Sequence, residues 1–304
     1  MGKPALSHYP GSHWDVTLAS LREQNTQGNA TMTVDRRSFL EQSGLISATA
    51  LALGTAATVA SADDAASPTK GPDDRLAELE KQLAQLANQV GILEDTHAIR
   101  RLHHAYGYYI DKCLYDETVD LFAEDGEVRF MGGIFKGKAG ARRLYCDTFR
   151  TTFTGGKNGP VPGFLLDHPQ LQDVVDVAPD RMTSKARFRC FMQAGRHDSV
   201  VKAGEGANVL RQWWEGGLYE NEYVKDNGVW KIKVLNYRPV WHARFEEGWA
   251  HTPAKFVPFY SETYPRNPLG PDELMSPVPV LWPDTDVLAF HYPHPVTGRW
   301  WKQS

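Results

Sequence analysis

Asp226-Asn227-Gly228 separates two stretches, Leu218–Lys225 and Val229–Val240, in which apolar and polar side chains alternate. Asn-Gly at such a junction adopts the positive φ that other residues resist, and so folds its flanks back on each other as an antiparallel hairpin. A lone hairpin is not stable in water. Two further strand-like stretches precede this one, Leu165–Val177 and Thr183–Ala194, so a meander of long antiparallel strands is expected. The period of two sorts the faces. Lys231 and Lys233 point outward, which sends Ile232, Val234, Asn236 and Arg238 inward; by the same alternation Phe188, Cys190, Met192, Tyr219, Asn221 and Tyr223 face inward. Asn236 and Arg238, at the end of an apolar row, stand where a pocket finds its polar groups.

The half before the meander is helical. Helices are predicted over Glu94–Lys112 and Tyr115–Phe122, a small hairpin over Val128–Phe130 and Gly133–Lys136, a third helix over Lys138–Thr152, and a loop over Gly155–Gly163. This order indicates an α+β fold with helices on one face of a curved, mainly antiparallel sheet. Asp111 sits in the last turn of its helix, where the macrodipole favours cations. It is either a solvated carboxylate or the edge of a pocket. At 100° per residue, His103, Tyr106, Gly107, Ile110 and Asp111 share a sector of about 140°, and Gly107 in its middle leaves room for a ligand. His103 and His104 read as packing or surface residues.

The termini have their own signatures. Residues 1–31 are polar and aperiodic and read as unstructured; if translation starts at Met32 they are not part of the natural product. Arg36-Arg37 followed by Phe39-Leu40, the small-residue apolar run Gly44–Ala60 and Ala60-Ser61-Ala62 follow the order of a Tat-type export signal over residues 32–62. This predicts passage through the Tat machinery, cleavage after about Ala62 and a periplasmic product; a membrane anchor is the alternative. A linker over residues 63–73 leads to Leu76, Leu79, Leu83, Leu86, Val90 and Leu93, which repeat in steps of three and four. That is an a/d seam over residues 74–93, either a short self-associating coiled coil or one helix packing against its own domain, and Gly91 is expected to bend or break the helix. Residues 242–304 are dense in Pro, Trp, Tyr and His and are expected to pack irregularly on the core or on a neighbouring subunit.

Composition removes several function classes. The net charge of −4 offers no basic stripe for nucleic acid. The three cysteines, Cys113, Cys146 and Cys190, are too scattered for a disulfide framework or zinc site and read as small buried hydrophobes. His291-Tyr292-Pro293-His294 lacks a carboxylate partner, so no metal is expected. No Gly-rich dinucleotide loop or P-loop occurs, and no cofactor is expected.

Ile110-Asp111-Lys112, Asp120–Glu127, Phe135-Lys136-Gly137-Lys138-Ala139-Gly140 and Gly228-Val229-Trp230-Lys231-Ile232 resemble the SnoaL-like superfamily over residues 94–241. The resemblance implies the cone-shaped α+β barrel shared with nuclear transport factor two, scytalone dehydratase, hexachlorocyclohexane dehydrochlorinase and bile-acid 7α-dehydratase. It also implies a catalytic Asp111–His168 dyad, with Tyr106 hydrogen-bonding the substrate. Substrate-binding positions expected from the inward rows are Ile110, Phe188, Met192, Tyr219, Asn236 and Arg238. Matching Arg238 to the dehydrochlorinase arginine requires a bulge, because the Gly-Val-Trp-Lys anchor places that arginine nearer Leu235. The activity implied is a cofactor-independent, dehydratase-type lyase acting on a hydrophobic, hydroxylated, aromatic or polycyclic small molecule, in a homo-oligomer, a trimer by resemblance. An isomerase of the ketosteroid type, a polyketide-type cyclase and a non-catalytic binding module on the same fold are the alternatives. For the export signal, changing Arg36→Lys together with Arg37→Lys is expected to keep the chain in the cytoplasm, read by fractionation and immunoblotting.

Overall fold

The computed structural model describes residues 71–201, 211–252 and 260–302. The extension over 1–31, the export signal over 32–62 and residues 63–70 of the linker lie outside the described residues. Among the described residues no helix is long and apolar enough to cross a membrane.

Helix α1 (Pro72–Asp111) starts with Pro at its first turn and acidic residues beside it, both suited to a helix N-terminus. It runs through Gly91 without a break. The glycine serves packing instead: a Cβ there would lie 1.9 Å from the Arg181 guanidinium, which crosses the helix at that point. A turn leads to α2 (Tyr115–Asp120), β1 (Phe122–Phe130) and β2 (Gly133–Lys136). The next helical segment is α3 (Gly137–Arg142), a π-helical stretch (Arg143–Phe149) and α4 (Arg150–Thr154). The predicted strand over Leu165–Val177 is two strands, β3 (Phe164–Asp167) and β4 (Gln170–Val177), separated by His168 and Pro169. Proline has no N–H for the ladder and interrupts it. The long strands β5 (Thr183–Arg196), β6 (Gln212–Asp226) and β7 (Val229–Arg244) follow, then α5 (Gly248–His251) and the short β8 (Glu273–Leu274).

The sheet order is β3-β5-β6-β7-β1-β2-β8, with β4 also paired to β5. Only β1 and β7 run parallel; the other pairs are antiparallel. The sheet is curved and open, and the helices cover its inner face. Ile99, Tyr106 and Ile110 of α1 join Phe122, Val128, Phe188, Tyr219, Ile232 and Leu235 in one core.

The β6–β7 register carries two irregularities that matter for the interior. Adjacent Glu222 and Tyr223 pair with Val234 and Ile232, so β7 has one extra residue at Lys233. A bulge reverses the alternation beyond it. Leu235 and Tyr237 are therefore buried, and Asn236 and Arg238 turn to the other face. Arg238 ion-pairs there with Asp286 of the C-terminal segment.

That segment packs on its own chain. Arg143 donates to Gly270 O (2.8 Å) and pairs with Asp272 (2.6 Å). On the outer face, Arg187 pairs with Glu220, donates to the Ala289 carbonyl (2.6 Å) and stacks on Phe290; Glu220 also bonds His291. The tail thereby covers a pair of charges that a bare sheet face would leave in water.

One buried carboxylate fixes α1 against the far ends of these strands. Asp95 accepts from Arg181 Nε (2.6 Å), Lys225 Nζ (2.6 Å) and Trp230 Nε1 (2.9 Å). Burial opposes its charge, but these donors outweigh burial and hold its pKa down, at about 2 against an ordinary 3.8. A depressed carboxylate stabilises the fold above its unfolded pKa and loses that contribution as pH falls through the folded one. Asp95→Asn is expected to cost about 2 kcal/mol of stability at pH 7. The deficit against wild type should shrink between pH 4 and pH 2, as read by urea unfolding at stepped pH.

Candidate active site

Asp111 lies at the last turn of α1, and His168 in the gap that Pro169 opens between β3 and β4. The Asp111 carboxylate accepts the His168 backbone N–H (3.2 Å) and is bonded to its ring Nδ1. One carboxylate oxygen thus holds both the main chain and the imidazole. With Nδ1–H donated to Asp111, Nε2 is the acceptor nitrogen, and no described residue occupies it. His168 is buried and forms part of the wall of an interior cavity of about 130 Å³. Asp111 does not line that cavity; it borders an open groove on the other side of His168, with His104, Tyr108 and Gln170. His168 is the residue common to both walls and so the partition between them.

A second layer holds this partition in place. Buried His103 donates from Nε2 to Gln170 Oε1 (3.0 Å), and Gln170 Nε2 donates to the His168 carbonyl (3.0 Å). Its Nδ1 then accepts from Asn221 Nδ2 (3.2 Å) and the Tyr223 hydroxyl (3.2 Å). Burial dominates its titration and pushes its pKa down to about 3, so it stays neutral and can accept. His103 is a packing residue, as expected, stacked on Phe188 at 3.8 Å. Phe188 is correspondingly a floor beneath the site and does not line the cavity. Gly107 does not leave room for a ligand: a Cβ on it would lie 2.8 Å from Gln170 Cγ, so the vacancy belongs to Gln170.

Most of the cavity wall is aromatic and aliphatic. Tyr106 and Ile110 come from α1, Tyr219 from β6 and Met192 from β5, all four as expected from periodicity. Phe130, Phe149, Phe153, Phe164, Trp213 and Tyr237 complete an aromatic belt. Tyr237 replaces Arg238 and Asn236, both of which the β7 bulge turns away. The π-helical stretch supplies Phe149 to the wall and Tyr145, whose hydroxyl lies 3.2 Å from that of Tyr106. Desolvation raises the Tyr106 pKa to about 12, so it remains a protonated hydrogen-bonding group.

Two polar groups on this wall were not anticipated. Glu215 of β6 pairs with Met192 across the strands and accepts from Trp213 Nε1 (3.1 Å) and the Tyr237 hydroxyl (2.8 Å). It lies in the stretch Gln212–Gly217, ahead of the predicted strand start at Leu218, so no alternation had been assigned to it. The Tyr115 hydroxyl is buried on the same wall, beside the Cys113 thiol. Asp167↔Gln193 and Gln170↔Cys190 bracket His168 opposite Met192, and Met192 pairs with Glu215. Two strand spacings separate the His168 and Glu215 backbones, about 10 Å, with the cavity in front of both.

No cluster among the described residues has the make-up of a metal site. The three cysteines are free and buried.

The SnoaL-like domain profile matches residues 91–236, the segment that contains α1 from Gly91 onward, the helical cover and the curved sheet. The chain carries a SnoaL-like domain. Among solved structures, a scytalone dehydratase-like protein from Novosphingobium aromaticivorans DSM 12444 is 18% identical, with 57% of this chain and 99% of that one aligned and a TM-score of 0.40. The hexachlorocyclohexane dehydrochlorinase LinA-type3 from Novosphingobium barchaimii LL02 is 17% identical over 56% of this chain and 99% of its own, with a TM-score of 0.41. ActVI-ORFA from Streptomyces coelicolor is 16% identical over 47% and 96%, with a TM-score of 0.36. No curated protein matches the chain. In this SnoaL-like domain the helix-to-sheet contact at Gly107 admits no side chain. Gly107→Ala is expected to displace Gln170 from His103 and from the His168 carbonyl, lowering stability by about 1–3 kcal/mol, as measured by thermal or urea unfolding.

Proposed function

We propose that this SnoaL-like domain is a cofactor-independent lyase that eliminates water from a small, hydrophobic, hydroxylated molecule. The observation that carries the reading is the Asp111–His168 pair, in which the carboxylate bonds Nδ1 of a buried histidine that lines an aromatic cavity. A carboxylate on Nδ1 fixes the tautomer and stabilises the imidazolium, which equips Nε2 to take a proton from carbon near neutral pH. In the proposed step the substrate C–H bond breaks and its proton passes to Nε2. The electron pair forms the C=C bond, the neighbouring C–O bond breaks, and the departing hydroxide takes the proton held on Nε2 to leave as water, which returns the imidazole to its neutral form. The redox state of the substrate is unchanged, so no electron acceptor is required.

The remaining polar groups orient the substrate. Tyr106, protonated, donates to the hydroxyl or carbonyl next to the acidified carbon. Glu215, about two strands from His168, and the Tyr115 hydroxyl bind the oxygen-bearing end. A cavity of about 130 Å³ is close to the size of an engineered apolar cavity that holds one benzene ring. The favoured skeleton is therefore a single aromatic or alicyclic ring; a polycyclic one would need the belt to open.

The ketosteroid-type isomerase reading, with Asp111 as the base, is less well supported, because Asp111 stands behind His168 and outside the cavity. The binding-module reading uses the same cavity and is separated by turnover. Incubation with a panel of phenolic alcohols and hydroxysteroids, followed by mass spectrometry for loss of water, tests the reaction. With a substrate in hand, His168→Ala and Asp111→Asn are expected to lower kcat by about 10²–10⁴-fold with the fold intact by circular dichroism. Tyr115→Phe and Glu215→Gln are expected to act more on KM. Full activity of His168→Ala and Asp111→Asn would remove the dyad from the mechanism, and ligand binding without turnover in the wild-type chain would favour the binding module.

A further inference from the structure

The first part of α1 has no packing partner within its own described chain. From Gly71 to Val90 every residue is exposed except the half-buried Glu78, and burial begins only at Gly91. A helix projecting about 28 Å from a domain draws little stability from itself, since most helical stability in proteins comes from packing an apolar face. Such a face is present and uncovered. Leu76, Leu79, Leu83, Leu86, Val90 and Leu93 form one stripe, each between 53 and 68% exposed.

The spacing identifies what fits this stripe. Alternating steps of three and four place Leu76, Leu83 and Val90 at a, and Leu79, Leu86 and Leu93 at d, a seam complementary to its own copy. The flanks favour one orientation. In a parallel pairing Arg75 at g faces Glu80 at e of the other helix, an attractive contact. An antiparallel pairing sets e against e, bringing Glu80 toward Glu94, a repulsive one. A lipid surface is a poorer match, because the exposed polar face carries Asp73, Asp74 and Glu78 against Lys81.

We propose that residues 72–93 self-associate with the same segment of another copy of this chain as a short parallel coiled coil. The seam ends where Arg181 crosses Gly91, so the coil stops where the helix enters its own domain. This assembly is independent of the lyase reading, since no seam residue lines the cavity.

Cysteine cross-linking in the full-length chain tests it, because the three native cysteines are buried. Leu83→Cys puts a thiol at an a position, and Asn88→Cys puts one at f, the face away from the seam. Under mild oxidation at micromolar protein, Leu83→Cys is expected to form a disulfide-linked species of twice the chain mass at least about tenfold faster than Asn88→Cys, as the effective concentration within a paired coil implies. Equal rates, or monomer throughout, would overturn the proposal. Mixing Leu83→Cys with a size-tagged Leu86→Cys chain checks orientation: like-with-like bands support the parallel coil, and a dominant mixed band overturns it.

Discussion

Helix α1 meets the sheet through polar pegs, two of them buried, and the position of everything else follows from them. Asp95, His103 and Asp111 occur at every eighth residue along the helix. Asp95 binds the β4–β5 turn through Arg181 and the β6–β7 hairpin through Lys225 and Trp230. His103 binds β4 and β6 through Gln170 and Asn221, and Asp111 binds the β3–β4 gap through His168. Hydrophobic burial is non-directional and would tolerate a helix slid or rotated by one residue. A buried charge or imidazole would not, because each displaced partner leaves a polar group desolvated and unpaired. The pegs fix the register of the helix against the sheet.

The cavity arises from departures from regular structure. Pro169 ends one ladder and begins another, which frees His168 from strand geometry to turn its ring toward Asp111. The extra residue at Lys233 brings Tyr237 to the interior, where it bonds Glu215. The π-helical stretch brings Tyr145 to Tyr106. Regular strands and helices would have closed this space with packed side chains; each irregularity turns one group toward it at local cost.

The same irregularities explain how far the sequence could be read. The hairpin at Asn227-Gly228, the long antiparallel strands and the inward rows on β5 and β6 follow from local chemistry and emerge as expected. Asp111, His168, Tyr106, Ile110, Met192 and Tyr219 meet at one place; their proximity came from resemblance and helical geometry. Asn236 and Arg238 were placed inward by an alternation that the bulge reverses, because bulges are set by the pairing strand and leave little trace in the strand's own sequence. Gly91 and Gly107 were read as a break and a vacancy. They are contact points for Arg181 and Gln170, residues distant in sequence. Glu215 was missed because its strand starts earlier than its own sequence pattern suggests.

By itself the sequence determined the α+β class, the order of the elements, the leucine seam and the residues able to do proton chemistry. Propensity, periodicity and turn stereochemistry act over a few residues and are written locally. Only the tertiary structure decided which of those residues share a cavity, that Asp111 lies outside the cavity that His168 lines, and that Glu215 and Tyr115 stand on the same wall. Those relations depend on register between strands far apart in the chain, where one extra residue exchanges the inside of a sheet for its outside.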